Sequence, residues 1–107
     1  MLVKLEPDEK LVEKIFLKDL HSLNPEDRKE IMAAGCVTDI LFSKNTLAVF
    51  VLDDTTSNWI CEFFTDKCSY PENFQSGAQI IIRGEFGLNK YKEKVIKIYK
   101  MRTLVPY

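Results

Sequence analysis

Between Thr46 and Phe64 two apolar runs face each other across a polar turn. Ala48, Phe50 and Leu52 alternate with Leu47, Val49 and Val51, and Trp59, Cys61 and Phe63 alternate with Asn58, Ile60, Glu62 and Phe64. Asp53-Asp54-Thr55-Thr56-Ser57-Asn58 separates them, and short polar side chains of this kind bond back to their own backbone in turns. β-branched and aromatic flanks around such a turn predict a β-hairpin, with strands at Thr46–Leu52 and Asn58–Phe64. The same reading gives a long first strand over Glu30–Phe42, with a bend or bulge expected at Gly35. It also gives strands over Gln79–Phe86 and Tyr91–Arg102, joined by a turn at Gly87-Leu88-Asn89-Lys90. Thr65 to Ser76 reads as a loop with one helical turn.

The N-terminal part supports two readings. Val12, Phe16, Leu20 and Leu23 recur with helical period after an Asp8 cap, while Lys14 to Leu20 also reads as an extended lead-in strand. Asn24-Pro25 ends either one. Five strands with a Gly-kinked first strand predict a mainly all-β fold, a five-stranded oligonucleotide-binding (OB) Greek-key barrel carrying a helical or extended N-terminal segment. An SH3-like barrel is the competing architecture. The OB reading is preferred because closing five strands requires one that serves both sheets. Residues 1–28 are then expected to pack on the barrel or a partner, and residues 29–107 to form the barrel.

Length and composition narrow the choice. The chain has 107 residues, 46% hydrophobic and 29% charged, which suits one globular domain. No apolar run reaches the roughly 18 residues needed to span a bilayer, and charges from Lys4 to Lys14 interrupt any signal-peptide core. No membrane partner and an intracellular location are therefore expected. Cys36, Cys61 and Cys68 lack metal-site pairing and His21 is the single histidine, so no metal and no cofactor are predicted, and the cysteines read as buried reduced thiols. Net charge is −1, but residues 79–107 carry seven basic and two acidic side chains, leaving −6 on residues 1–78. The C-terminal part of the chain is cationic, and a basic and an acidic end are expected.

Three stretches resemble a known family. Leu52-Asp53-Asp54-Thr55-Thr56-Ser57-Asn58-Trp59-Ile60-Cys61 is similar to the aliphatic-Asp-Asp-Gly-Thr-Gly motif of the middle subunit of replication protein A and of its telomeric counterpart in the CST complex. Phe16-Leu17-Lys18-Asp19-Leu20 resembles the lead-in segment of that group and of small telomeric OB subunits, and Gly35-Cys36-Val37-Thr38-Asp39-Ile40 resembles its first strand. Thr55 and Ser57 replace the two turn glycines, so left-handed backbone is less accessible there, and Asn58 is expected to adopt it instead. The resemblance implies a nuclear, non-catalytic subunit of a genome-maintenance complex in telomere, replication or repair roles. It implies single-stranded DNA (or RNA) as ligand and another OB-fold subunit as partner in a hetero-oligomer.

Catalysis finds no support in the residues: there is no nucleophile pattern and no phosphate loop, and Asp53 and Asp54 read as turn acceptors. The ligand candidates cluster near the last hairpin. Lys90, Lys92 and Lys94 alternate and are expected on one side of the ribbon, and with Arg83 and Lys97 they would follow phosphates. Tyr91, Tyr99, Phe86 and Phe64 would stack bases. A lysine-protected edge hairpin is the alternative reading. Trp59 is expected in the core. The strand Thr46–Leu52 is apolar on both faces, so Leu47, Val49 and Val51, with Phe16 and Leu20, are candidates for a protein partner. A protein–protein adaptor without nucleic-acid binding is the rival function.

Overall fold

A computed structural model describes residues 2–3, 12–44, 46–65, 71 and 74–104, with the backbone alone at 2–3, 12–13 and 42–44. Five strands form a closed barrel: β1 (Glu30–Lys44), β2 (Leu47–Asp53), β3 (Asn58–Phe64), β4 (Gln79–Leu88) and β5 (Lys94–Thr103). Their order around the barrel is β1-β2-β3-β5-β4. β1 serves both halves, pairing with β4 over Glu30–Cys36 and with β2 over Cys36–Lys44. Closure comes from a short parallel pairing of β3 with β5, Cys61 opposite Ile96 and Glu62 opposite Lys97. This is the OB topology.

Gly35 sits where β1 passes from one partner to the other. A Cβ there would stand 2.7 Å from the Asp53 carbonyl oxygen, so glycine is required by close strand approach. The bulge expected at this position lies further along. Register shifts between Val37 and Asp39 and between Ile40 and Phe42 leave Thr38 and Leu41 as the extra residues, and these bend the strand.

Alternation fills the interior. Phe50 and Leu52 of β2, Cys61 and Phe63 of β3, Ile80, Ile82 and Phe86 of β4, and Ile96 of β5 are all essentially inaccessible. Each such Leu, Ile or Phe side chain contributes about 1.5–3 kcal/mol of burial. Phe74 closes on Phe50 and Phe63 edge-on, with ring centroids 5.2 and 6.0 Å away. Trp59 meets Phe86 in the same way at 5.2 Å, and its Nε1 donates to the Leu17 carbonyl at 2.8 Å. Burial pushes the Cys61 thiol up, with the nearby Glu62 charge adding to it. That group is an inert core thiol. Cys36 is half-buried, and Cys68 lies outside the described residues.

Neither reading of the N-terminal segment describes it fully. Lys14 bridges to Met32 beside β1, and Leu17–Ser22 forms a 3-10 helix. The apolar spacing from Val12 to Leu23 is therefore not one helix. Leu17 and Leu20, both fully buried, join the barrel core. A second 3-10 turn, Pro25–Asp27, follows, capped by the Asn24 side chain and ended by Arg28 at φ 49°.

Candidate nucleic-acid interface

The Asp-Asp turn fixes where β3 starts and where the first 3-10 helix docks. Thr55 N–H donates to Asp53 Oδ1 at 2.7 Å, and Thr56 N–H and Ser57 N–H donate to Asp54 Oδ1 at 2.9 and 3.2 Å. Asp54 Oδ2 accepts the Leu17 amide at 2.7 Å. Partial burial acts to raise the Asp54 carboxyl, but the bonds from Leu17, Thr56 and Ser57 outweigh it and hold the group below its ordinary value. The left-handed residue is Thr55, at φ 73°. Asn58, expected to take that conformation, is the first residue of β3. The anchoring of the Thr55, Thr56 and Ser57 amides places the reversal earlier.

The outer face of β2, β3 and β5 carries the groove. Register places Leu47 opposite Phe64, Val49 opposite Glu62 and Val51 opposite Ile60, while β5 contributes Lys97 and Tyr99. The Asn89–Glu93 turn overhangs one end. A groove of about 510 Å³ results, lined by Leu47, Glu62, Phe64, Asn89, Lys90, Tyr91, Lys97 and Tyr99 among others. Phe64, Tyr91 and Tyr99 are 49%, 70% and 47% exposed, so three aromatic rings are presented to solvent around it.

Tyr99 reaches this position through a bulge. Arg83 pairs with Lys100 and Gly84 with Ile98, leaving Tyr99 as the extra residue of β5. Gly84 permits the bulge, since a Cβ there would overlap the Lys97 carbonyl oxygen. The Tyr99 hydroxyl donates to Glu85 Oε2 at 2.8 Å. Its phenol is pushed up to about 12 by burial and by that carboxylate. The bond anchors one end of the ring.

Asn89 organises the turn. Its Oδ1 accepts the Tyr91 and Glu93 amides at 2.8 and 3.0 Å, and its Nδ2 donates to Glu62 Oε2 at 3.3 Å. Lys92 adopts φ 63°, and the Lys90 ammonium lies 5.1 Å from the Tyr91 ring centroid.

Several expected positions change. β4 runs on to Leu88 and β5 starts at Lys94, so Lys90 and Lys92 belong to the turn and do not alternate along a strand with Lys94. All three are exposed. Phe86, expected to stack a base, is 0% exposed and packs on Trp59 inside the barrel. Arg83, expected to follow phosphates, points its guanidinium at Glu30, with Nε and Nη2 at 2.7 and 2.6 Å from Oε1. Leu20, a partner candidate, is in the protein's own core, whereas Phe16 is exposed. Leu47, Val49 and Val51 are half-buried on the groove face. Of the two predicted sets, Leu47, Val49 and Val51 share the groove face with Phe64, Lys97 and Tyr99, whereas Leu20, Phe86 and Arg83 do not reach it.

Asn89, Glu62 and Glu85 were not among the predicted site residues. Asn89 was legible as a turn residue and Glu62 as an outward position of its strand; the Tyr99–Glu85 bond crosses two strands and leaves no local signal. Among the described residues no group of three or more His, Cys, Asp and Glu side chains could hold a metal ion, and no helix is long and apolar enough to cross a membrane.

No protein-family profile matches the chain, and neither does any curated protein. Solved structures do. A chain from the S. pombe Stn1–Ten1 complex superposes with a TM-score of 0.64 at 16% identity, over 86% of this chain and 77% of that one. The Entamoeba histolytica asparaginyl-tRNA synthetase superposes with a TM-score of 0.69 at 17% identity, over 90% of this chain. This chain spans only 24% of that enzyme, so the likeness is to one barrel within it. The fold is an OB fold, and identities this low carry the fold alone.

Proposed function

We propose that this chain is a non-catalytic OB-fold subunit of a nuclear genome-maintenance or telomere complex. It binds single-stranded DNA along the β2–β3–β5 groove and assembles with another OB-fold subunit. The observation that carries the reading is the exposed triad Phe64, Tyr91 and Tyr99 around a groove rimmed by Lys90 and Lys97. Aromatic faces that stack bases beside cations that follow phosphates are the means by which OB barrels hold single strands. The fold likeness to a chain of the Stn1–Ten1 complex supports assembly with a second subunit. A net charge of −1 makes the affinity of the isolated chain modest.

A salt titration of single-stranded DNA binding tests the reading. Affinity falls with salt, and changing Lys90, Lys92 and Lys94 together to Ala lowers the slope by about 2, at roughly 0.7 per phosphate contact. An unchanged slope removes the turn from the site, and competition with RNA of the same sequence decides between the two nucleic acids.

A second reading has its own observation. Leu47, Val49, Val51 and Ile60 give the groove face an apolar strip that suits a protein partner, making the chain an adaptor. Absence of DNA binding at low salt, with a stable partner complex on purification, selects that reading.

A further inference from the structure

We infer that Glu62 is a specificity-determining residue that reads guanine within the bound strand; this rests on the single-strand reading above. Glu62 stands mid-strand on the groove face of β3, half-buried, opposite Val49 on one side and Lys97 on the other. A carboxylate at that position repels phosphate, so the backbone of a bound strand lies toward Lys90 and Lys97 and the base edges face Glu62. Phe64, one step along the same face, and Tyr99 supply the stacking surfaces that bring a base edge there.

An ionised carboxylate only accepts hydrogen bonds, at two oxygens with about four lone-pair sites. The Asn89 amide takes one of them on Oε2 and fixes the side chain in place. Guanine alone presents two adjacent donors, N1–H and the 2-amino group, which match the two oxygens. Adenine and cytosine offer one amine beside a ring nitrogen acceptor, and thymine one N–H between two carbonyls; in each the flanking lone pairs oppose the carboxylate. A good bidentate contact to a base discriminates by about tenfold or more.

The test is fluorescence polarisation with an oligothymidylate about 12 nucleotides long and versions carrying one central deoxyguanosine, 7-deaza-deoxyguanosine or deoxyinosine. For the wild-type chain the guanine oligomer binds about tenfold tighter than oligothymidylate. The 7-deaza analogue, which keeps the same donor edge, matches it, and inosine, lacking the 2-amino group, falls between. In Glu62→Gln, with an unchanged melting profile, the guanine advantage drops below about twofold while oligothymidylate binding persists. Equal wild-type affinity for guanine and thymine, or a guanine advantage retained in Glu62→Gln, overturns the inference while oligothymidylate binding leaves the single-strand reading standing. Failure of every oligomer to bind overturns both.

Discussion

The Leu17 amide donates to the Asp54 carboxylate at 2.7 Å, tying the first 3-10 helix to a turn 37 residues away. Trp59 Nε1 completes the clamp by donating to the Leu17 carbonyl. Both backbone groups of one buried leucine are therefore satisfied by the hairpin, and Leu17 and Leu20 are delivered to the core at a fixed angle.

Asp54→Ala removes an acceptor shared by three amides and the Thr56 hydroxyl. A loss of about 2–3 kcal/mol in urea unfolding is expected. Because the folded carboxyl lies below its ordinary 3.8, its contribution is complete above pH 3.8 and is lost as pH falls through the folded value. The stability gap between wild type and Asp54→Asn therefore narrows on acidification below pH 3.8, which denaturant titrations at stepped pH would measure.

Thr55 holds φ 73°, a conformation that costs an L-residue about 1–2 kcal/mol. Thr55→Gly should raise stability by about 1 kcal/mol, since relief of strain exceeds the entropy that glycine adds to the unfolded chain. A melting temperature equal to or below that of wild type would refute the strain argument.

Phe86 and Tyr99, adjacent candidates in sequence reasoning, should separate cleanly by experiment. Phe86→Ala opens a cavity beside Trp59 and costs about 3–5 kcal/mol of stability. Tyr99→Ala leaves the core intact and weakens single-strand binding by about 1–3 kcal/mol, while Tyr99→Phe retains most of that binding because the ring remains. Unfolding curves read alongside binding isotherms distinguish the three variants.

Gly84→Ala places a methyl group against the Lys97 carbonyl, so β5 must shift away from β4. A stability loss of about 1–3 kcal/mol is expected, with Tyr99 fluorescence altered because the bulge that aims it is displaced.

The hairpin of β2 and β3 was legible almost residue for residue, because β-branched and aromatic runs flank a turn whose chemistry is local. In β4 Ile80, Ile82 and Phe86 fall on one side against Arg83 and Glu85, but Ile81, buried on the other side, breaks the polar–apolar period and hides the inward position of Phe86. The last turn was displaced by about three residues. Gly87 suggested an early break, whereas Asn89 nucleates the reversal through its own side chain. The 3-10 helix was illegible because its geometry is set by Asp54 and Trp59, far along the chain. The Tyr99 bulge depends on strand crowding at Gly84, which no window of neighbouring residues encodes.

The parallel contact of β3 with β5, only two residue pairs long, and the double duty of β1 close the described barrel, while β1 still offers Met32 to Lys14 of the lead-in segment. On the single-strand reading, selectivity resides in the side chains of the groove face, where exchanging a handful of them would redirect the molecule while its scaffold stays the same.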